Sequence, residues 1–429
     1  MKGAGLRLGA ACAALGAALA SSAALATNGY FAHGYGMKAK GMAGVGIALP
    51  QDAMAAATNP AGMAWVGTRF DAGLDVFRPD RGADIVGNAG VAPMGVPSLD
   101  GSYDGNGKRT FLIPEFGYNR VIDPALSIGV VVYGNGGMNT QYDRSPFTAM
   151  GGSSPAGVDL SQLFIAPTVS YRIAPGHALG VSLNVAYQQF SATGFGPFGQ
   201  FGLSSNPAAL TDNGNDSATG VGLRVGWTGA ITPTITMGAT WQSKTRMSRL
   251  DKYAGLFADQ GRFDIPANWG VGIAAKLSPA VTVALDVQRI EYAGVTAVGN
   301  PIDSLFGGKL LGADDGPGFG WNDITVIKLG ANWALTDALT LRAGYSHSDQ
   351  PIPANQTFFN ILAPGTIRHH VSIGATWAIG ARQELTFAYT HGLRQKVDGS
   401  NSIPPNFGGG NANIRLSEDI LGVAWAWKF

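Results

Sequence analysis

The sequence predicts an all-β membrane protein: an antiparallel transmembrane barrel of about fourteen strands, with an amino-terminal plug held in its lumen. Three observations carry the prediction. Charged residues make up 13% of the chain, roughly half the share usual in soluble globular domains, while glycine is abundant at 63 residues. Outside the first 26 residues no apolar run approaches the ~18 residues of a membrane helix. A spanning chain of this composition therefore has to close into a barrel, the other way of pairing every backbone group within lipid. From 67 to 429, segments of about ten to fourteen residues alternate apolar and polar side chains, separated in turn by tight turns and long polar loops.

Residues 1–26 read as a targeting segment. Lys2 and Arg7 form a short positive region, 8–20 is an apolar run, and Ala24 and Ala26 are the small residues a signal peptidase requires. Cleavage is expected before Thr27, for a protein exported to the outer membrane of a Gram-negative cell. The single cysteine, Cys12, falls in the removed part, and Gly9, Ala10 and Ala11 before it lack the Leu of a lipoprotein signal. The mature chain then has neither a disulfide nor a thiolate metal site. Removing Lys2 and Arg7 takes the formal charge from +1 to about −1, which gives no electrostatic basis for binding nucleic acid.

The plug is expected over 27–66. Its sequence, TNGYFAHGYGMKAKGMAGVGIALPQDAMAAATNPAGMAW, has neither strand alternation nor a helical stripe. Its glycines recur too often for a stable helix, since each costs roughly 1 kcal/mol against Ala. It is also too apolar for a solvated tail, so other elements must enclose it. Asn59, Pro60, Ala61 and Gly62 on their own read as a turn.

The barrel is expected over 67–429, with strands at 68–78, 109–121, 126–134, 162–173, 178–190, 219–230, 234–247, 265–277, 281–291, 323–335, 339–347, 367–379, 384–392 and 414–429. Tight turns centre on Pro124, Pro175, Thr232, Pro279, Asp337 and Gly380. An even count puts both termini on the tight-turn side, which faces the periplasm in such barrels. Val283, Leu285 and Val287 alternate with Ala284, Asp286 and Gln288, one set for lipid and one for the lumen; Leu385, Phe387 and Tyr389 alternate likewise with Glu384, Thr386 and Thr390. The last strand puts Leu421, Val423, Trp425, Trp427 and Phe429 on one face, like the terminal strand that outer-membrane proteins present to the barrel assembly machinery. Trp65, Tyr133, Trp241, Trp269, Trp333, Trp377 and Tyr389 suit interfacial aromatic girdles.

The run NGYFAHGYGMKAKGMAGVGIALPQD, followed by ATNPAGM, resembles the amino-terminal hatch of the FadL/TodX (OmpP1) family of outer-membrane transporters for hydrophobic compounds. Asn59, Pro60 and Ala61 match the hatch motif, and PIPANQTFFNILAPGTIRHHVSIGATW is similar to a later part of the family. The resemblance implies a monomeric passive transporter, without cofactor or metal, for long-chain fatty acids or other hydrophobic molecules. Capture among the outer loops precedes rearrangement of the hatch and sideways release where the third strand is kinked, with membrane lipid and lipopolysaccharide as surroundings. In this chain Gly129, Gly134, Gly136 and Gly137 are the kink candidates. Two loops hold apolar clusters, 192–203 with Phe195, Phe198 and Phe201, and 358–363 with Phe358 and Phe359. Such exposed clusters mark binding sites, or they pack the loops together.

Lys328 and Arg342 fall on the lumen side of their strands and are candidate partners for a ligand carboxylate, or balance Asp286 and Glu384. The stretch 185–190 has no basic residue where the family's fatty-acid transporters carry them, which leaves room for neutral aromatics or alkanes. No catalytic constellation is evident: there is no G-x-S-x-G, and Ser346 and His347, like His369 and His370, are neighbours that point to opposite faces of a strand. The acidic loop 212–216 lacks the closing Glu of a calcium loop. The alternative function is a gated porin for polar solutes, which a charge-ringed constriction would favour and greasy loops do not.

Overall fold

The computed structural model describes residues 28–429; the expected targeting segment and Thr27 lie outside them. Sixteen strands form one antiparallel sheet. Two of these, Gly101–Asp104 and Arg246–Met247, are short flaps within loops. The other fourteen make the wall: β1 Arg69–Val86, β2 Phe111–Val121, β3 Leu126–Tyr142, β4 Ala156–Ala174, β5 His177–Thr193, β6 Asp216–Ala230, β7 Ile235–Gln242, β8 Asn268–Lys276, β9 Val281–Ile290, β10 Ile324–Ala334, β11 Leu339–Ser348, β12 His369–Ile379, β13 Gln383–Val397 and β14 Asn411–Lys428. β14 closes onto β1 in unbroken register from Arg69↔Lys428 to Val86↔Asn411. Closure removes the sheet edges that lipid could not satisfy, and no described helix is long and apolar enough to cross a membrane.

Period-two alternation decides which side chains meet lipid. Leu285, Ile327, Phe387, Tyr389, Leu421 and Trp427 are exposed on the outside, while Asp286, Lys328, Glu384 and Thr390 are buried inside. Trp241, Trp269, Trp333 and Trp377 also face outward. Two expected girdle members do not. Tyr133 is buried against Tyr35 and Phe164 because β3 turns inward there. Trp65 ends the plug, with its indole donating to Thr228 Oγ1 at 2.8 Å and the Arg172 guanidinium over its ring.

Several strands run beyond their expected ends at the loop side: β1 reaches Val86, β3 reaches Tyr142, β4 begins at Ala156 and β13 reaches Val397. These extensions carry polar groups on both faces (Asp80 and Asp84, paired with Ser417 and Asn413, on one and Arg81 on the other), so hydropathy does not mark them. β7 is shorter than expected and stops at Gln242.

Candidate functional site

The interior is filled by residues 28–66. As its composition requires, this segment forms only short turns: a helix at Met37–Lys40 and 3-10 turns at Ala53–Ala57 and Pro60–Trp65. Two backbone segments touch at Gly34 and Gly44; a Cβ on Gly34 would lie 2.5 Å from the Gly44 Cα, and Gly44 sits at φ 78°. Asn59 shows why its triplet is more than a turn. Its Oδ1 accepts from Ala61 N at 3.1 Å and caps the last 3-10 turn, while its amide donates to Ile47 O at 2.8 Å and to Trp227 O of β6 at 2.9 Å. Pro60 and Ala61 pack on Gly180 of β5, and Ser170 of β4 donates to Ala61 O. Asn59→Ala removes a cap worth ~0.5–2 kcal/mol together with both tethers. It is expected to raise the frequency of brief conductance events in planar bilayers several-fold, with barrel folding unchanged by heat-dependent gel mobility.

Ion pairs hold the plug elsewhere. Lys40 Nζ bonds Asp75 of β1 and reaches Glu115 of β2 at 2.7 Å; Lys38 Nζ meets Glu384 of β13 at 2.6 Å, which also takes Arg69 at 3.0 Å. Asp286 of β9 accepts from Gly46 N and Ile47 N. Asp52 is pushed up to about 6 by burial and then by the neighbouring Asp71 carboxylate. Lys38 and Lys40 went unnoticed in the sequence. The available signal is that Asp71, Asp75 and Glu115 point inward with only Arg69 beside them, so cations must come from another element.

The two basic candidates belong to this framework. Lys328 Nζ donates to His33 O at 3.1 Å and Gln288 Oε1 at 3.2 Å, while Arg342 donates to Gln51 Oε1 at 3.0 Å and Thr376 Oγ1 at 2.7 Å. Both bind the plug in this structure. Adjacent-residue reasoning also missed a cross-strand chain: Ser346 Oγ lies 3.2 Å from His370 Nδ1, whose Nε2 is 3.1 Å from Glu418 Oε1. The His33 ring of the plug covers His370 at 4.5 Å. Burial, with His370 and Lys328 beside it, holds His33 well below the usual imidazole range.

The apolar loop clusters meet. Phe195, Phe198, Phe358 and Phe359 are not exposed as expected but 2, 3, 0 and 9% accessible, because rings from separate loops bury one another; Phe201 packs half-buried beside them. Phe198 and Phe359 lie 5.8 Å apart. With Val158, Leu256, Phe257, Leu311, Phe319 and Leu362 they line a loop cavity of about 540 Å³, mouth included, without a charged group in its lining. A second, smaller cavity of about 330 Å³, mouth included, lies inward of it, lined by Phe77, Arg81, Met138, Asn139, Trp321 and Leu416, with Ala363, Pro364 and Gly365. The wall between them is one bonded unit. Asn360 Oδ1 accepts from Trp321 Nε1 at 2.5 Å, and its amide donates to Phe319 O and Gln356 O. Tyr142 and Thr140 of β3 hold Ile361 O and Leu362 O.

Beside the inner cavity the barrel wall is incomplete. β2 and β3 pair from Val121↔Ser127 only as far as Phe116↔Val132. Beyond this, residues 111–115 pair only with β1, and β3 pairs with β4 through a register shift between Gly134 and Gly136. The vacant edge of β3 is taken by the plug instead: Ala32 N donates to Asn135 O at 2.9 Å and Gly137 N to Tyr30 O at 3.0 Å. A Cβ on Gly136 would come within 1.9 Å of Tyr30 O, so glycine is required there. Residues 131–140 are buried on both faces, turned in from the lipid. Gly134, Gly136 and Gly137 thus lie at the bulge. Gly129 does not; it pairs regularly with Asn119 and Thr168 and makes room for Met63.

A barrel with a tethered plug, greasy loops and an interrupted third strand has a known counterpart. Residues 13–403 match the family described as outer membrane protein transport protein (OMPP1/FadL/TodX). The chain belongs to this family. Among solved structures, the Pseudomonas putida toluene transporter TodX is 19% identical, with a TM-score of 0.68 over 92% of this chain and 99% of its own. A Pseudomonas aeruginosa FadL homologue is 16% identical, with a TM-score of 0.69 over 94% and 100%. The Ralstonia pickettii toluene transporter TbuX is 19% identical, with a TM-score of 0.63 over 92% and 99%. At these identities the likeness is one of fold. Comparison with curated proteins gave no match. Family membership makes the protein an outer-membrane transporter of hydrophobic substrates, and a channel rather than an enzyme; it gives the polar-solute porin no support.

Proposed function

We propose that the protein takes up hydrophobic molecules passively from outside the cell: they enter the loop cavity, pass the Asn360 wall into the inner cavity, and leave sideways between β2 and β3 once residues 28–32 of the plug let go of β3. The observation that carries this reading is the succession of a loop cavity without a charged lining, an inner cavity, and a stretch of wall where β3 bonds the plug at Asn135 and Gly137 instead of pairing with β2. Transfer of an apolar molecule along this route avoids water, which would cost ~0.8 kcal/mol per CH₂. The solved relatives include two transporters described for toluene and a FadL homologue, so an aromatic hydrocarbon is a precedent for the fold. Lys328 and Arg342 serve the plug in this reading, and their release belongs to the hatch movement rather than to capture.

The test is uptake of radiolabelled toluene and dodecanoate into proteoliposomes, with Phe198→Arg as the variant. A cation placed in the loop cavity is expected to lower the uptake of toluene at least tenfold. Uptake of neither probe by the wild type, together with steady ion conductance, would overturn the proposal.

A further inference from the structure

Three of the chain's six histidines stand on the outer face of the barrel towards its loop end, on successive strands: His347 on β11, His369 on β12 and His391 on β13. Adjacent His369 and His370 point to opposite faces, but the ladder sets His347 directly opposite His369. Residues paired in this way hold their Cβ atoms ~4.5–5.5 Å apart on one face. Both are half-buried, one step beyond Tyr345 and Val371, which are exposed on the same face. The Nδ1 atoms of the two rings lie 3.4 Å apart, and Tyr345 Oη lies 2.6 Å from His369 Nδ1. That nitrogen carries one proton or one lone pair, so it can bond only one of its two neighbours well. Neither imidazole has a carboxylate partner among the described residues, whereas His391 Nδ1 is 2.8 Å from Asp419 Oδ1. Arg368, the cation next to His369, turns its Nε to Ser348 O.

We infer that His347 and His369 bind a divalent transition-metal ion of the Cu²⁺ or Zn²⁺ class through their Nδ1 atoms, with Tyr345 Oη or water in the remaining positions. Two nitrogens 3.4 Å apart, each ~2.0–2.1 Å from one ion, subtend about 110° there, the tetrahedral angle. Among the described residues no three His, Cys, Asp or Glu converge on one point, so two imidazoles are the strong ligands. Such a pair selects ions that favour nitrogen over Ca²⁺ and Mg²⁺, which take oxygen. The site shares no lining residue with either cavity. An ion in it ties β11 to β12 where loop 349–368 leaves them, the loop that brings Phe359 to the loop cavity.

The experiment titrates Cu²⁺ and Zn²⁺ into the folded protein in phosphatidylcholine nanodiscs, without a polyhistidine tag. One Cu²⁺ per barrel is expected, with electron paramagnetic resonance showing coupling to two imidazole nitrogens, and with Cu²⁺ bound at least tenfold more tightly than Zn²⁺. His347→Ala and His369→Ala are each expected to weaken Cu²⁺ at least tenfold, and His391→Ala to leave it within twofold, all three folding as the wild type does by heat-dependent mobility. Equal affinity of the wild type and of a barrel carrying both His347→Ala and His369→Ala would overturn the inference. So would loss of the ion in His391→Ala with full binding kept by His347→Ala, which would place it beside Asp419.

Discussion

Lys40→Met is expected to give a barrel that folds and leaks. Lys40 is buried in the four-residue helix of the plug, and its ammonium is shared by Asp75 of β1 and Glu115 of β2. Glu115 also accepts from Gly36 N at 3.2 Å, so the same carboxylate fixes the start of the helix. Methionine preserves the length of the side chain and removes the charge. Two buried carboxylates then face each other with no cation, a loss of the kind that costs ~3–5 kcal/mol. At 1.4 kcal/mol per factor of ten, the unplugged population rises by about two to nearly four powers of ten. The wall keeps its fourteen strands because its hydrogen bonds do not pass through Lys40, so folding by heat-dependent mobility is expected to be unchanged while conductance in planar bilayers rises. Adding Asp75→Asn and Glu115→Gln to Lys40→Met is expected to restore most of the seal. A variant as silent as the wild type would mean that the plug does not depend on this cluster.

Deletion of Asn135 is expected to abolish uptake and spare binding. Gly134 pairs with Leu163 and Gly136 with Gln162, so Asn135 is the extra residue of the bulge. Without it β3 continues in register, and its freed edge can meet residues 111–115 of β2, which lack a partner on that side. The interruption would close with ordinary ladder pairs, and the plug would lose its place at Asn135 O and Gly137 N. The loop cavity is built from other segments and remains. Uptake of toluene or dodecanoate by proteoliposomes is expected to fall at least tenfold, with binding to the detergent-solubilised protein within twofold. Uptake that survives the deletion would place the exit elsewhere, through the tight-turn end of the lumen.

Barrel, alternation and turns were legible in the sequence because lipid imposes them locally. A strand in a bilayer must show one apolar face, whatever its neighbours do, and Leu285 beside Asp286 or Phe387 beside Thr386 states this in two residues. The hatch was legible as a segment too glycine-rich for a helix and too apolar for water. So was the membership of Asn59 in it, and the lumen side of Lys328 and Arg342.

What these residues touch was not legible. The phenylalanines of 192–203 and 358–363 read as an exposed patch, yet they bury one another across loops more than 150 residues apart in the sequence. Lys40 finds Asp75 and Glu115, and Ser346 finds His370 and Glu418, both through pairings between residues distant in the sequence. The interruption between β2 and β3 depends on a single extra residue and on a plug segment that takes the vacant edge. By itself the sequence determined a plugged, closed barrel, because the solvent on each side acts on every residue separately. Only the tertiary structure decided where the charges pair and where the wall is open, because those depend on which residues closure brings together.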